Sequence, residues 1–302
     1  MDFRSLECKI RFGLSRIPFL PVVYSLRLDG RRVKRVLWSK VMPFFDQRHG
    51  LMHMDLWGWD VPELRFLWRF CSPQMVFLDV GAHHGLYSVI AACRIGPTGR
   101  VVAFEPNPSD ARRTRIHILL NRLCSSMASV HVEQTALADQ PGCSTFHIPV
   151  SGVRTTAALR KPSDPRSRFV EISVSMDTLD AFLERTGIDQ LDLVKLDIEG
   201  AEMLFFDGAR QSLNRFRPLM IVEAIDDVCL PWGHRARDLL ERLQSEFDYE
   251  LFAFNDDGLV EPHRLRDDYP LTSRCNYLAV PPCRMSSLLS AMVMAQQSDF
   301  AR

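Results

Sequence analysis

The sequence predicts an α/β fold in which helices cover both faces of a mostly parallel β-sheet. Three observations lead to this prediction: short continuous apolar runs of strand length, amphipathic helical stretches between them, and turns rich in glycine or acidic residues directly after them. A strand that is buried on both faces is apolar along its whole length. Sheets of this kind bind ligands at the carboxyl ends of their strands, so the residues after each run form the candidate site.

The composition is that of a globular chain without an overall charge. The 302 residues are 46% hydrophobic and 25% charged, with 37 basic and 37 acidic side chains. These fractions exclude disordered, fibrous and disulfide-scaffold classes. The zero net charge argues against a generic nucleic-acid binder, because such proteins neutralise phosphates with an excess of lysine and arginine.

Cysteine usage and hydropathy favour a cytoplasmic protein. The eight cysteines are scattered and form no CxxC pair, which favours free thiols in a reducing compartment over disulfides or a zinc site. No apolar run approaches the roughly 20 residues that cross a membrane. The apolar stretch 17–26 contains two prolines and precedes arginines rather than a small-residue cleavage site, so we expect no signal peptide.

The elements of the predicted domain begin near residue 60. Residues 1–58 show no periodic pattern and are interpreted as an N-terminal extension to a domain of residues 59–302, with its core at 72–282. Asp60, Pro62 and Glu63 have the spacing of a helix start. The expected strands are then 75–78, 100–104, 129–135, 191–196, 219–222, 249–254 and 276–280, and the expected helices are 86–95, 110–123, 202–213 and 235–247.

One segment interrupts the alternation of strands and helices. Residues 142–176 contain two strand-like runs, 144–148 and 169–175, which predict an inserted loop or hairpin over the sheet edge. The polar segment 150–168 between them carries basic side chains that fit either an anionic acceptor or a solvated loop. Those side chains are Arg154, Arg160, Lys161, Arg166 and Arg168.

The turn after the first strand contains Asp79, Gly81 and Gly85. Glycines at a strand-to-helix turn allow a ligand to approach the backbone, and Asp79 is placed for a cationic or hydrogen-bond-donating ligand. An ordinary βα turn is the alternative. The spacing is GxxxG rather than the GxGxxG of dinucleotide binding, which argues against a nicotinamide dehydrogenase.

Acids also follow the second and third strands. Glu105 lies 20 residues beyond Gly85, a position from which a carboxylate can accept both hydroxyls of a ribose. A helix cap is the alternative role for Glu105. Asp139 could accept from an adenine amino group or could simply start the turn that follows it.

The richest group of acids follows the fourth and fifth strands. Asp197, Glu199 and Glu202 could orient a substrate hydroxyl, hold a divalent metal or contact a cofactor, whereas helix N-terminal acids are the plainer interpretation of the two glutamates. Glu223 ends an apolar run, where an ionised side chain without a partner is rare. Trp232 and His234 follow in the next loop and could line a substrate pocket.

These segments occur in an order that resembles the FkbM family of S-adenosylmethionine-dependent methyltransferases. The resemblance runs from about residue 72 to 255, and the run Lys195–Glu202 is its most diagnostic part. It implies a class I methyltransferase (Rossmann-like) fold, with a seven-stranded, mostly parallel sheet whose last strand is antiparallel. It also implies transfer of a methyl group to a hydroxyl of a small molecule, sugar or glycan. The other matching segments are 77–82, 103–107, 136–139, 178–180 and 222–223.

The resemblance also implies roles for individual residues in the cofactor site. The glycine turn would lie beneath the methionine part of S-adenosylmethionine, Glu105 would hold the ribose, and Asp139 would face the adenine. His83 stands where family members usually have asparagine, and its side chain can still donate a hydrogen bond. The cofactor-binding residues expected on these grounds are Asp79, Gly81, His83, Gly85, Glu105, Asn107 and Asp139.

Catalysis would need a group that takes the proton of the acceptor hydroxyl. Asp197 is the first candidate for this base, with Glu199 and His234 behind it; Glu223 and Trp232 are expected to contact the substrate. A divalent metal on Asp197 and Glu199 would serve the same purpose by lowering the pKa of the hydroxyl. A non-catalytic S-adenosylmethionine-binding module on the same fold is the alternative, although such a module would be expected to lose its strand-end acids.

Overall fold

The computed structural model describes residues 61–123, 126–149, 157–161, 168–271 and 275–291, together with the backbone of residues 22–28 and 31–37. The predicted helix-cap residue Asp60 lies outside the described residues, as does most of the basic segment 150–168, including Arg154 and Arg166. Within the described part of the chain, no helix combines the length and hydropathy that a membrane span requires.

The elements follow the alternation that the sequence predicts. The strands are β1 (Val22–Leu28), β2 (Arg31–Leu37), β3 (Val76–Val80), β4 (Arg100–Phe104), β5 (Ser129–Glu133), β6 (Ala136–Leu137), β7 (Gly142–Pro149), β8 (Phe169–Asp177), β9 (Leu193–Leu196), β10 (Leu219–Glu223), β11 (Glu250–Phe254), β12 (Val260–Pro262) and β13 (Asn276–Val280). The α-helices are α1 (Val61–Phe70), α2 (Leu86–Ile95), α3 (Pro108–Arg122), α4 (Leu179–Thr186), α5 (Glu202–Gly208), α6 (Arg210–Phe216), α7 (Asp226–Cys229) and α8 (Ala236–Ser245).

The main sheet has eight strands in the order β12-β11-β13-β10-β9-β3-β4-β5. Strands β10, β9, β3, β4 and β5 are parallel to one another, and β13 runs antiparallel to both β10 and β11. This confirms the predicted mostly parallel sheet with an antiparallel last strand. The eighth strand, β12, extends the predicted seven at one edge by pairing antiparallel with β11.

The chain reverses its direction of travel across the sheet between β3 and β9. From β3 it proceeds outward to β4 and β5, and it returns on the other side of β3 to form β9 and β10. The carboxyl ends of β3 and β9 therefore border the crevice at which doubly wound sheets bind ligands.

Two apolar layers cover the two faces of this sheet. Phe77 and Leu193 belong to the layer packed against α1 and α2, whereas Leu78 and Val194 belong to the layer packed against α4, α5 and α8. All four side chains are at most 1% exposed. Burial on alternate faces along the same strand explains why these strands are apolar at every position.

The interruption at residues 142–176 is a hairpin, as one of the predicted alternatives states. β7 and β8 pair antiparallel from Gly142 with Met176 to Pro149 with Phe169. β6 joins β8 in parallel, so the three strands form a sheet of their own rather than extending the main one.

Two expectations about helices and loops were wrong. The single helix expected at 202–213 is two helices, α5 and α6, because the Asp180 carboxylate accepts the amide hydrogens of Gln211 and Ser212 at 3.0 and 2.7 Å and starts a new helix there. Residues 22–37, expected to lack periodic structure, contain the antiparallel pair β1 and β2. The Asp29-Gly30 dipeptide between them is a hairpin signal that the sequence does carry.

Substitution of Gly81 by alanine tests the contact between the turn after β3 and the chain after β9. Gly81 has φ +84° and a Cβ there would lie 1.7 Å from the carbonyl oxygen of Asp197, whereas Gly187 has φ +63° with open space around it. We expect Gly187→Ala to cost about 1–2 kcal/mol from left-handed strain alone, and Gly81→Ala to cost more than about 4 kcal/mol because backbone must also move. Urea unfolding of both variants measures the difference; equal losses would contradict the contact.

Candidate active site

The turn after β3 packs directly against the chain that leaves β9. The amide of Asp197 donates to the carbonyl of Val80 at 3.0 Å, and the amide of Gly81 donates to the carbonyl of Phe104 at 3.0 Å. Any side chain at position 81 would collide with the Asp197 carbonyl. The ends of β3, β4 and β9 therefore form one continuous backbone surface; the predicted role of Gly81 beneath a cofactor stays a prediction.

Gly85 closes the same turn on its other side. It has φ +75°, and a Cβ there would lie 2.6 Å from Cγ2 of Thr114 on α3. Both glycines that the sequence singled out are thus required by backbone conformation and by a close neighbour.

Asp79 is an anchor for the helix after the turn. The carboxylate is 2% exposed, and its Oδ2 accepts the amide hydrogen of Ser88 at 2.9 Å and the Ser88 hydroxyl at 2.5 Å. Burial raises the pKa of Asp79 to about 6, and the two bonds from Ser88 oppose that rise. The structure thus assigns one partner to Asp79 that the sequence did not predict.

Glu105 joins the turn after β3 to the loop before α3. Its Oε2 accepts the amide hydrogen of His83 at 2.7 Å, and its Oε1 accepts that of Asn107 at 2.8 Å. The side chain is 6% exposed, and burial together with the neighbouring charge of Asp110 raises its pKa to about 8. Each carboxylate oxygen has a second acceptor direction, so the arrangement is compatible with hydroxyl donors as well. Asn107 caps α3 by accepting from the Ser109 amide at 3.1 Å.

His83 occupies a backbone conformation that suits asparagine, the residue that the family resemblance leads us to expect at this position. Its φ of +48° is in the left-handed region, where asparagine is favoured over most other side chains. The carbonyl of His83 accepts a hydrogen bond from the Thr114 hydroxyl at 2.7 Å, which holds the turn in place.

Among the described residues, His83, His84 and Asp110 offer three potential metal-ligating atoms within 4.8 Å of one another. Arg113 already lies there: its Nη1 is 2.8 Å from Nε2 of His84 and 3.2 Å from Oδ1 of Asp110. A guanidinium at this distance repels a cation. The group is therefore better described as an ion-pair network between the turn after β3 and α3. The predicted pair Asp197 and Glu199 is not part of that group.

The acids after β9 and β10 surround one buried lysine. Lys195 is 2% exposed; its Nζ donates to Oδ2 of Asp197 at 3.0 Å and lies 5.4 Å from the centre of the Tyr87 ring. Burial raises the pKa values of Glu199 and Glu223 well above the usual range, the negative charge of Asp197 raises them further, and Lys195 lowers them. These carboxyls therefore share a single electrostatic environment in which protons or cations are favoured.

The loop after β9 is held by Trp232. Glu199 has φ +56°, and its carbonyl accepts from Nε1 of Trp232 at 3.0 Å. A Cβ on Gly200 would lie 2.3 Å from Cδ1 of the same ring. The Arg160 guanidinium, from the segment 150–168 between β7 and β8, lies 5.9 Å from the ring centre. Trp232 therefore lies against both the loop after β9 and one basic residue of that segment.

Two predicted site residues lie apart from these contacts. Asp139 is exposed in the bend between β6 and β7, the placement expected of a turn-starting residue. His234 is half-buried, and the charge that acts on it is that of Asp238 in the first turn of α8; burial nevertheless lowers the pKa of His234. The predicted roles of both residues remain predictions.

Sequence reasoning missed the role of Lys195. A lysine between Val194 and Leu196 in an otherwise apolar strand is a detectable signal, because a buried ammonium needs a partner. The partner proved to be the candidate base itself.

A comparison with known families identifies the chain. The model of the methyltransferase FkbM domain matches residues 79–251. The chain belongs to the FkbM methyltransferase family. The match begins at the buried aspartate of β3 and ends in β11. It therefore includes the turn after β3, Glu105 and the acids after β9 of this FkbM domain.

Two curated relatives resemble this FkbM chain in part. The 2-O-methyltransferase NoeI of Sinorhizobium fredii (strain NBRC 101917 / NGR234) is 25% identical over 158 residues, which are 48% of this chain and 62% of NoeI. The AMB antimetabolite synthetase AmbE of Pseudomonas aeruginosa is 27% identical over 251 residues, covering 72% of this chain and 11% of AmbE. The chain thus spans less than two thirds of the length of either relative.

Solved structures of methyltransferases also resemble the chain. The crystal structure of an FkbM methyltransferase from Methylobacillus flagellatus KT has a TM-score of 0.44 and 15% identity, covering 69% of this chain and 44% of that one. A putative O-methyltransferase from Klebsiella pneumoniae has a TM-score of 0.45 and 14% identity, covering 78% and 84% of the two chains.

Replacement of Glu202 by glutamine tests how strongly ionisation of this buried acid destabilises the folded protein. Glu202 is 1% exposed, its Oε2 has no hydrogen-bond partner among the described residues, and burial raises its pKa from 4.5 to about 7. The folded state therefore holds this proton more tightly than the unfolded chain, so the free energy of unfolding should fall as pH rises from about 4.5 to about 7. Glu202→Gln should remove up to about 3 kcal/mol of that fall.

The measurement is urea unfolding of wild type and Glu202→Gln across this pH range. Glu184→Gln, on the exposed face of α4, is the matched control and should retain the wild-type profile. A Glu202→Gln profile that parallels the wild type would contradict the assignment.

Proposed function

We propose that the chain is an S-adenosylmethionine-dependent O-methyltransferase that acts on a hydroxyl of a small molecule, sugar or glycan. The observation that carries this proposal is the position of Glu105, a buried acid at the end of β4 that joins the turn after β3 to the loop before α3. In a Rossmann-like sheet an acid at this place is suited to ribose hydroxyls. Membership in the FkbM family supports the cofactor assignment.

The acids at the carboxyl ends of β3, β9 and β10 fit a cationic cofactor. Asp79, Glu199 and Glu223 all have pKa values raised by burial, so a positive charge close to them would be favourable. Gly81 allows the turn after β3 to pack against the Asp197 carbonyl, which holds the turn and the candidate base together. When bound, S-adenosylmethionine supplies an already activated methyl group on a sulfonium.

The chain's own residues would then position the acceptor and remove its proton. Correct alignment of two reactants can contribute about 7–11 kcal/mol to a barrier. Asp197 is the proposed base, since it is partly exposed and Lys195 lies 3.0 Å away to balance its charge. Glu199 and Glu223, which hold protons more tightly, are better suited to hydrogen bonding the acceptor than to accepting its proton.

His234 is the second candidate for the base. Burial lowers its pKa, which keeps the imidazole neutral and able to accept a proton near pH 7. The described contacts do not connect it to Asp197, and for that reason Asp197 is preferred. The name of NoeI, a 2-O-methyltransferase, supports a hydroxyl as the methyl acceptor.

Glu105→Ala tests the cofactor assignment by calorimetry. We expect wild-type protein to bind S-adenosylmethionine, and the variant to bind it at least about 30-fold more weakly because the hydrogen bonds of the carboxyl group to the ribose hydroxyls are lost. Glu171→Ala, at an exposed position of β8, is the control and should bind like wild type. Absence of heat with wild-type protein would overturn the cofactor assignment.

Asp197→Asn tests the base and separates an enzyme from a binding module. The asparagine keeps the size of the side chain, so calorimetry should show S-adenosylmethionine binding close to wild type. Methyl transfer from labelled cofactor, screened over a panel of hydroxyl acceptors, should fall by about 10²–10⁴-fold. Normal turnover would exclude Asp197 as the base and favour His234, which His234→Gln would then test.

A further inference from the structure

A cleft lined by both apolar and polar side chains opens at the same edge of the sheet as the predicted catalytic acids. It has a volume of about 380 Å³, within the range typical of small-molecule sites. Its walls come from the start of α1, the ends of β11 and β12, the loop 263–269 and the start of β13. The polar side chains that line it are Glu63, Asn255, Glu261, His263, Arg266 and Asn276.

The cleft lies two strands away from the candidate base. Asn276 pairs in register with Glu223 at the end of β10, and the next strand, β9, leads directly into Asp197. Adjacent strands are about 4.8 Å apart, so Asn276 and the chain at Asp197 are separated by about 10 Å along the edge. The Cys275 thiol, which burial keeps protonated by raising its pKa, donates to Glu223 at 3.7 Å and ties the cleft to the acids.

Asn276 is a buried amide with an unused acceptor. The residue is 5% exposed, it lines the cleft, and its Oδ1 has no hydrogen-bond partner among the described residues. A buried polar atom left without a partner destabilises the free protein, and a donor group on a ligand would satisfy it. An amide both donates and accepts, and a hydroxyl does the same, so the two are complementary.

The opposite wall is held in place before any ligand arrives. Arg266 donates through Nη2 to the Tyr277 hydroxyl at 2.8 Å, and its amide donates to the Tyr269 hydroxyl at 3.0 Å. The amide of Tyr269 in turn donates to Asp226 at 2.7 Å, which fixes the loop to the start of α7. Such preorganisation lowers the entropy cost of binding.

The lining carries no excess of positive charge that would select an anionic ligand. The Glu261 carboxyl balances the guanidinium of Arg266, which also donates to the Tyr277 hydroxyl. Burial and the nearby Arg266 lower the pKa of His263, so that imidazole is neutral near pH 7. Hydrogen-bonding groups without excess positive charge match a neutral polyhydroxylated molecule.

We propose that this cleft binds the methyl acceptor as a neutral polyhydroxylated compound, and that Asn276 binds one of its hydroxyls. The proposal rests on the methyltransferase function proposed above and specifies the acceptor side of that site. It places acceptor recognition on β11, β13 and the loop between them, away from the basic residues of the hairpin segment.

Two substitutions and one control test the cleft. Asn276→Ala removes the amide, Ala253→Phe fills the cleft from β11, and Gln190→Ala removes an exposed amide near the opposite, amino edge of the sheet. The probes are methyl α-glucoside and myo-inositol as neutral polyols and methyl α-glucuronide as the anion. Saturation-transfer difference NMR at millimolar probe concentration reports their binding, and calorimetry with S-adenosylmethionine reports the integrity of the cofactor site.

We expect wild type and Gln190→Ala to show saturation transfer to at least one neutral probe, and both cleft variants to lose most of it while their cofactor Kd stays within about twofold of wild type. The proposal is overturned if no neutral probe binds to wild type, if only the glucuronide binds, or if both cleft variants retain the wild-type signal. Failure of the proposed function is a separate result, since it would appear as absent cofactor heat whatever the probes do.

Discussion

The contact between the turn after β3 and the chain after β9 is the constraint on which the rest of the site depends. Gly81 and the carbonyl of Asp197 are so close that no side chain fits between them. The Asp197 amide also bonds to the carbonyl of Val80. As a result the turn after β3 and the candidate base Asp197 are held together as one unit, and under the proposed function a cofactor bound at that turn would have a fixed relation to Asp197.

The second feature of the site is an excess of buried acid over buried base. Asp79, Glu199, Glu202 and Glu223 all have pKa values raised by burial, and Lys195 acts against that rise at Asp79, Glu199 and Glu223. As pH rises, ionisation of these buried acids destabilises the free protein. A cation bound close to them would offset that cost. The zero net charge of the chain conceals this local imbalance, which is why composition alone excluded partners but did not point to one.

Much of the fold and part of the site could be predicted from the sequence. Fully buried strands leave continuous apolar runs, and Glu105 and the glycines stand at fixed offsets from them. Contacts between segments that are far apart in the chain leave no such pattern in the sequence. The bond from Ser88 to Asp79, the capping of α6 by Asp180 and the unused amide oxygen of Asn276 all depend on tertiary placement. Lys195 is intermediate, because its position in an apolar strand was visible but its partner was not.

The two halves of the carboxyl edge are built by different physical means. On the side of β3 and β4, close backbone packing at Gly81 and Gly85 and amide bonds to Glu105 define the surface, so few substitutions are compatible with it. On the side of β11 and β13, side chains from separate elements define the cleft, and each can change without displacing a strand. A site built in this way can keep one cofactor while its acceptor varies, since the residues that would select the acceptor are not those that hold the turn after β3 and the chain after β9 together.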